Sequence, residues 1–197
     1  GDRTVSRAVR IVTGYVPLPG HPRPRETYLD LGRRLLRIPV PKVVWTTAEI
    51  GAELAREQAG ADAFPHWDGH FWIHDALEGS PHSVASQNPA KDTLDYHAIQ
   101  HQKTQWLAWT SQQHPEDLLV WLDFGIFHLP SINPPGVGER VVLEFLARDT
   151  GPYDLAVLDP PTFSNSKKMR GALDLQRDKL AIPRRFDATM KELWLLQ

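Results

Sequence analysis

The sequence has 197 residues, contains no cysteine and carries a formal net charge of −2. The absence of thiols excludes disulfides, thiolate metal sites and cysteine nucleophiles. The nearly neutral charge gives no strong overall field for nucleic acid or an anionic membrane, so a nucleic-acid substrate would need a local basic patch.

The first half of the chain alternates between predicted strands and helices. Apolar runs predict buried strands at Ala8 to Val16 and at Lys42 to Thr46. Helical spacing of apolar residues predicts helices over 26–38 and 48–58, the second capped by Thr47. The residues expected to face the core are Tyr28, Leu31, Leu35 and Ile38 on the first helix and Ile50, Leu54 and Ala55 on the second.

An irregular, aromatic stretch over residues 60–88 separates this half from the rest. A loop of that length inside a compact domain is usually functional or mobile. The elements predicted after it are a long helix over 92–113, a strand over 118–123, a helix over 138–148, a strand over 153–158 and two short helices over 171–180 and 186–196.

The alternation of strands and helices predicts an α/β fold with three layers, in which crossover helices cover a mostly parallel, Rossmann-like sheet. We expect one domain over residues 1–197. All nine histidines precede residue 129, which indicates a composite junction near residues 140–150. No apolar run has the roughly 20 residues of a membrane span, and arginines interrupt the N-terminal stretch. Cytoplasmic localisation and no membrane partner are therefore expected.

The sharpest motif follows the last predicted strand. It runs Asp-Pro-Pro-Thr-Phe-Ser-Asn-Ser-Lys-Lys-Met over residues 159–169 and continues to Asp178. Transfer of a methyl group to an exocyclic amine needs acceptors that orient the nitrogen lone pair and an aromatic ring that stacks on the base. The Asp159 carboxylate, a proline-constrained carbonyl and the Phe163 ring are groups of this kind.

Residues 159–178 resemble the large-subunit rRNA guanine-N2 methyltransferases. The resemblance implies S-adenosylmethionine as donor and RNA as partner. It also implies that Asp159, Pro160, Pro161 and Phe163 bind the amine, while Lys167 and Lys168 approach RNA phosphate. Such enzymes hold their donor at a glycine-rich turn after a strand. The upstream candidates, at residues 11–14 and 122–125, do not resemble that fingerprint.

A second constellation lies at the end of the strand over residues 118–123. Asp123 follows an apolar run there and precedes Phe124-Gly125. Residues 8–130 diffusely resemble a bacterial glycosyltransferase-like group of the GT-A fold, although Gly125 replaces the second aspartate of an Asp-x-Asp motif. The resemblance implies a sugar nucleotide with Mn²⁺ or Mg²⁺, with Asp123 as a catalytic residue that binds the metal or the ribose. The nucleotide would contact Thr13, Gly14 and Lys103.

The histidines give a weaker pattern. Two sets of histidines have a spacing of four residues, which would put each set on one face of a helix, where it could chelate a metal. The first set is His66, His70 and His74, and the second is His97 and His101. Packed or surface histidines are the plainer interpretation, because Gly69 and nearby aromatic residues disfavour a regular helix over 66–74. Asp95 with His97 is a candidate acid–base pair. Trp106 and Trp109 are expected in the core, with base stacking as the alternative.

Three hypotheses follow from the sequence. The favoured one is a transferase using a sugar nucleotide and a divalent metal, because it accounts for most of the chain. The first alternative is a fragment of an S-adenosylmethionine-dependent RNA guanine-N2 methyltransferase, with Asp159 as a catalytic residue. The second alternative is a non-catalytic composite α/β domain.

Overall fold

The computed structural model describes residues 8–21, 23–57, 59–77, 89, 92–148 and 155–158. Four parallel strands form one sheet in the order β2-β1-β3-β4. The strands are β1 (Val9–Tyr15), β2 (Lys42–Thr46), β3 (Leu118–Leu122) and β4 (Leu155–Leu158). The helices are α1 (Arg25–Leu36), α2 (Ala48–Arg56), α3 (Trp72–Leu77), α4 (Leu94–Gln113) and α5 (Val137–Arg148), with a 3-10 turn at Ile126–His128.

The three-layer, parallel α/β prediction is confirmed. Alternate residues of each central strand enter different apolar clusters because successive side chains of a strand point to opposite faces. Ile11 and Leu122 pack with α1 and α5 on one face, whereas Val12 and Trp121 pack with α4 on the other. Every residue of β2 and β3 is buried, as expected for strands covered on both faces.

Threonine side chains begin two of the helices. Thr47 accepts a hydrogen bond from the backbone N–H of Ile50, so the predicted cap of α2 is confirmed. Thr93 caps α4 in the same way through the backbone N–H of Tyr96. Each cap satisfies one of the donors that a helix N-terminus leaves without an intrahelical partner.

The structure corrects two local predictions. Ala55, expected in the core, is exposed on α2. The stretch predicted as irregular after residue 60 contains the short helix α3, whose Trp72 indole N–H donates to the carbonyl of His101 on α4. That contact depends on a neighbour almost 30 residues away, which a local pattern does not contain. The predicted helices at 171–180 and 186–196 lie outside the described residues.

The crossovers that contain α1 and α5 have opposite hands. Both helices pack in one cluster on the same face, with Leu35 of α1 beside Val142 and Leu146 of α5. The α1 connection moves from β1 to β2, whereas the α5 connection moves from β3 to β4 in the opposite direction across the sheet. Since about 98% of parallel crossovers are right-handed, one of the two is of the rare left-handed kind.

Candidate functional site

The carboxyl ends of β1 and β3 form the edge where polar and aromatic side chains gather. The two strands are neighbours in the sheet, but their connections diverge, one toward β2 and the other toward β4. Open α/β sheets bind ligands outside the carboxyl ends of strands whose connections diverge. The fold therefore directs attention to Tyr15 and the loop after β1, and to Asp123 and Phe124 after β3.

A stack of aromatic rings occupies this edge. Tyr15 stacks on Tyr28 at 5.1 Å between ring centroids and on Phe124 at 5.4 Å. Gly125 allows the close approach of Tyr28, because a Cβ built on that glycine would lie 2.7 Å from the Tyr28 ring. The loop after β1 adds His21, whose ring meets Tyr28 edge-on at 5.1 Å.

Charged groups surround these rings. Lys103 Nζ on α4 lies 3.9 Å from Asp123 Oδ1 and 5.7 Å from the centroid of the Trp121 ring. The guanidinium of Arg23 lies 4.9 Å from the centroid of the Tyr28 ring. Burial raises the pKa of the Tyr28 phenol well above its ordinary value, and the negative charge of Asp123 adds to the increase. Tyr28 and Asp123 are therefore electrostatic neighbours.

The structure brings Lys103 and Asp123 together, and the other two predicted nucleotide contacts, Thr13 and Gly14, lie on the neighbouring strand, where Val12 is opposite Trp121. Thr13 is 0% exposed, and its hydroxyl is buried without a hydrogen-bond partner. Gly14 lies against the indole of Trp106, which a Cβ at that position would approach to 2.4 Å. Gly14 thus serves the packing of α4 on the sheet. A nucleotide contact by Thr13 or Gly14 stays a prediction.

Neither strand-to-glycine turn of the described residues fits the methionine end of S-adenosylmethionine. In such sites the glycine leaves room for the backbone to approach a ligand. Here the protein's own rings fill that room, Trp106 at Gly14 and Tyr28 at Gly125.

Asp123 has no partners for an acidic metal centre in the described part of the chain. No group of three histidine, aspartate or glutamate residues there is arranged to hold a metal ion. The nearest charged group shown is the Lys103 ammonium, and a cation next to a carboxylate disfavours a second one. Metal binding by Asp123 stays a prediction.

The histidines do not form the helical set considered from sequence. His66 lies in an extended bridge beside Thr46, Gly69 has φ +93°, and α3 begins only at Trp72. The candidate pair of Asp95 with His97 is replaced by a different contact, because Asp95 Oδ1 lies 3.3 Å from His74 Nε2. The angles at this contact do not meet hydrogen-bond geometry, so it is a close approach and not a hydrogen bond.

The two tryptophans of α4 belong to the core. Trp106 is buried and stacks on Trp45 and Trp121 at 6.4 and 6.1 Å, and Trp109 lies 5.2 Å from Trp45. The core interpretation is confirmed for Trp106, which is buried between other rings, and Trp109 is partly buried against the same apolar cluster.

The sequence motif over residues 159–169 lies outside the described residues, and so do its candidate residues Asp159, Pro160, Pro161 and Phe163. The structure does describe the strand that leads to it. β4 pairs in parallel with β3, with Leu158 opposite Leu122, and it ends at Leu158. The last described residue before the motif therefore lies at the same edge of the sheet as Asp123.

Sequence reasoning missed two residues of this edge, His21 and Arg23. Both stand in the proline-rich loop that directly follows β1. In a parallel sheet, the loop that follows a central strand lies at the carboxyl edge. The position of His21 and Arg23 directly after the first strand could therefore have identified them.

Comparison with known proteins finds similarity to several enzymes that share one name. The chain is 46% identical over 70 residues to the ribosomal RNA large subunit methyltransferase K/L of Hahella chejuensis, which is 35% of this chain and 10% of that protein. It is 56% identical over 41 residues to the enzyme of the same name from Ectopseudomonas mendocina, 21% of this chain and 6% of the relative. The Psychrobacter arcticus enzyme is 46% identical over 68 residues, 32% and 9% of the two chains.

The chain thus spans about a tenth or less of the length of these relatives. No family model matches it, and no solved structure matches it. Part of the chain is therefore similar to rRNA methyltransferases, as the motif predicted, while these relatives give no support to the glycosyltransferase hypothesis. Among the described helices, none is long and apolar enough to cross a membrane.

Proposed function

We propose that this chain carries the acceptor-amine segment of an S-adenosylmethionine-dependent rRNA guanine-N2 methyltransferase. The observation that carries the proposal is the 46–56% identity to ribosomal RNA large subunit methyltransferases K/L. It reverses the order favoured by the sequence, in which the sugar-nucleotide transferase came first. RNA as partner and a cytoplasmic location belong to the same proposal.

The chemistry assigned to the segment is recognition of the amine. The Asp159 carboxylate and a carbonyl of the Pro160-Pro161 step accept hydrogen bonds from the two N–H groups of guanine N2, which aims the nitrogen lone pair. The Phe163 ring stacks on the base. S-adenosylmethionine, when bound, supplies the methyl group. Since neither glycine turn of the described residues fits that donor, the proposal is confined to recognition of the acceptor.

The sheet topology supports this role. β4 runs parallel to β3 and ends at the carboxyl edge, and Asp159 is the next residue in the chain. Leu158, the residue before Asp159, therefore lies at the edge at which α/β sheets bind their ligands.

The test compares two RNAs that differ by the amine alone. A short RNA hairpin with an unpaired guanosine in its loop is titrated in parallel with the same hairpin carrying inosine, which lacks the N2 amine. Fluorescence anisotropy gives both dissociation constants. We expect guanosine to bind about three- to tenfold more tightly, the value of one to two hydrogen bonds. Asp159→Ala should remove this preference, whereas Glu49→Ala, at an exposed position on α2, should retain it.

Equal affinity for the two hairpins, or an unchanged preference in Asp159→Ala, would contradict the proposal. Either result would favour the non-catalytic composite domain instead. One observation supports that alternative, namely that the crossovers through α1 and α5 have opposite hands. The crossover through α5 lies where the sequence predicts the composite junction.

A further inference from the structure

An arginine at the carboxyl edge of the sheet lies on an aromatic ring instead of on a carboxylate. Arg23 stands in the loop after β1 and is partly exposed. Its guanidinium lies 4.9 Å from the centroid of the Tyr28 ring, and no carboxylate or carbonyl of the described residues accepts a hydrogen bond from it. Several other arginines pair with carboxylates at 2.5 to 2.8 Å, namely Arg10, Arg25, Arg33 and Arg34. Arg23 therefore keeps its donors available for a ligand.

Hydrogen bonds order the loop on both sides of Arg23. The backbone N–H of His21 donates to the carbonyl of Leu18 at 3.3 Å, and that of Tyr28 donates to the carbonyl of Pro24 at 3.2 Å. His21 Nδ1 lies 3.2 Å from the backbone nitrogen of Arg23, from which it accepts when Nδ1 carries no proton. Arg23 also precedes a proline, which restricts its own backbone to extended conformations. The position of the arginine is thus set before a ligand binds.

Tyr28 belongs to a column of rings that connects Arg23 with the ends of β1 and β3. Tyr28 stacks on Tyr15, the last residue of β1, at an interplanar angle of 9°. Tyr15 stacks in turn on Phe124, two residues after β3, at an angle of 5°. The face of an aromatic ring attracts a cation through its quadrupole. Since Tyr15 and Arg23 both lie against Tyr28, the column serves to hold the guanidinium and not to stack on a base.

The loop after β1 lies at the same edge of the sheet as the start of the acceptor motif. β3 stands between β1 and β4, and Leu122 at the end of β3 pairs with Leu158 at the end of β4. Asp159 follows directly in the chain. The ends of β1 and β4 are two strand spacings apart, roughly 10 Å. A group presented after β1 therefore meets a neighbouring part of the same ligand and not the acceptor amine.

We propose that Arg23 binds a backbone phosphate of the RNA whose guanosine the acceptor segment recognises, an inference that rests on the proposed function. A guanidinium has five N–H donors in a planar fork that matches phosphate oxygens, and it stays protonated near neutral pH. Phosphate contacts fix the register of a bound nucleic acid and carry no sequence information. Arg23 is thus a positioning residue for the RNA, and the Tyr28 ring holds it in place.

The experiment measures how the affinity for RNA depends on salt. The guanosine hairpin is titrated against the full chain by fluorescence anisotropy at KCl concentrations from about 50 to 200 mM. Each phosphate contact to a single strand contributes about 0.7 to the slope of log affinity against log salt concentration, because it releases condensed counterions. We expect Arg23→Gln to weaken binding about three- to tenfold. The same substitution should make the slope less steep by about 0.7.

Three further variants separate a phosphate contact from other effects. Arg37→Gln removes the same charge from an exposed arginine at the amino edge, so it should leave the slope unchanged. Arg23→Lys keeps the charge and loses the planar fork, so it should retain most of the slope while it binds more weakly. Tyr28→Phe keeps the ring that holds the guanidinium and should bind RNA as the wild type does. Circular dichroism verifies that each variant is folded.

Equal salt slopes in Arg23→Gln and the wild type would overturn the proposal, and so would an equal reduction of the slope in Arg37→Gln. Failure of the proposed function is visible separately, in the preference for guanosine over inosine. Arg23→Gln should keep that preference, whereas Asp159→Ala should lose it and keep the slope. A wild-type chain with no guanosine preference but with the expected slope difference would contradict the proposed function and support the phosphate contact. A chain that binds neither hairpin would contradict both.

Discussion

The two edges of the sheet each contain a buried lysine, and the two lysines are held very differently. At the amino edge the Lys42 ammonium donates to the carbonyls of Ile38, Val40 and Gly60, the last two at 2.6 and 3.3 Å. At the carboxyl edge the Lys103 ammonium lies 3.9 Å from Asp123. The first charge is satisfied by backbone acceptors, and the second lies near a carboxylate and the Trp121 ring, 5.7 Å from its centroid.

The surroundings of the two lysines show the same contrast. Asp62, next to Lys42, accepts from the Lys42 backbone N–H at 2.9 Å and pairs with Arg10, which also pairs with Asp117 at 2.6 Å. These short contacts join the starts of three strands. The carboxyl edge has longer contacts between rings and charges. The comparison indicates that the amino edge maintains the fold and that the carboxyl edge is the place for a ligand.

Replacing each lysine by methionine tests this contrast most strongly. Lys42→Met leaves three carbonyls without their donor, so we expect the free energy of unfolding to fall by about 3 kcal/mol. Lys103→Met keeps the apolar stem and removes an ion pair of 3.9 Å, so we expect it to cost less than Lys42→Met. Urea unfolding of the two variants measures the difference. A larger loss for Lys103→Met would contradict the assignment of the two edges.

The Tyr28 phenol gives a smaller test of the carboxyl edge. Burial and then Asp123 raise its pKa in the folded protein, so the folded state keeps the proton that the unfolded state releases near pH 10. Stability contributed by this group is present below pH 10 and is lost as the pH rises above that value. Between pH 9 and 11 the free energy of unfolding of Tyr28→Phe should therefore fall by about 1 kcal/mol less than that of the wild type. If urea unfolding shows the same fall for Tyr28→Phe and the wild type, the pKa of the Tyr28 phenol is not raised by its surroundings.

The sequence predicts the fold well because the relevant signals are local. The apolar runs of β2 and β3, Thr47 before α2 and the helical spacing of α1 each lie within a few residues. The layer arrangement follows from these elements, since parallel strands need crossover helices. Strand β1 was predicted one residue too long at each end, as the local signal fades where a strand leaves the sheet.

The sites were less predictable because they depend on distant partners. Nothing near Gly14 in the sequence indicates that Trp106 fills its space, and nothing near Lys42 shows that three carbonyls converge on it. His21 and Arg23 become site residues only once β1 is known to be a central strand. The motif that includes Asp159 is the opposite case, because it can be recognised from its own residues and the similar rRNA methyltransferases support it. The residues upstream of the motif give no sign of that function.

The central claim is that the carboxyl edge is the functional edge. A two-dimensional ¹H–¹⁵N spectrum of the chain during titration with guanosine monophosphate tests it most directly, because this ligand carries both the N2 amine and a phosphate. The account predicts shifts for amides beside Tyr28, Lys103, Asp123 and Leu158. Shifts confined to the cavity of about 630 Å³ at the amino edge, which Arg37, Lys42 and Asp62 help to line, would contradict it. A spectrum that does not change would contradict it equally.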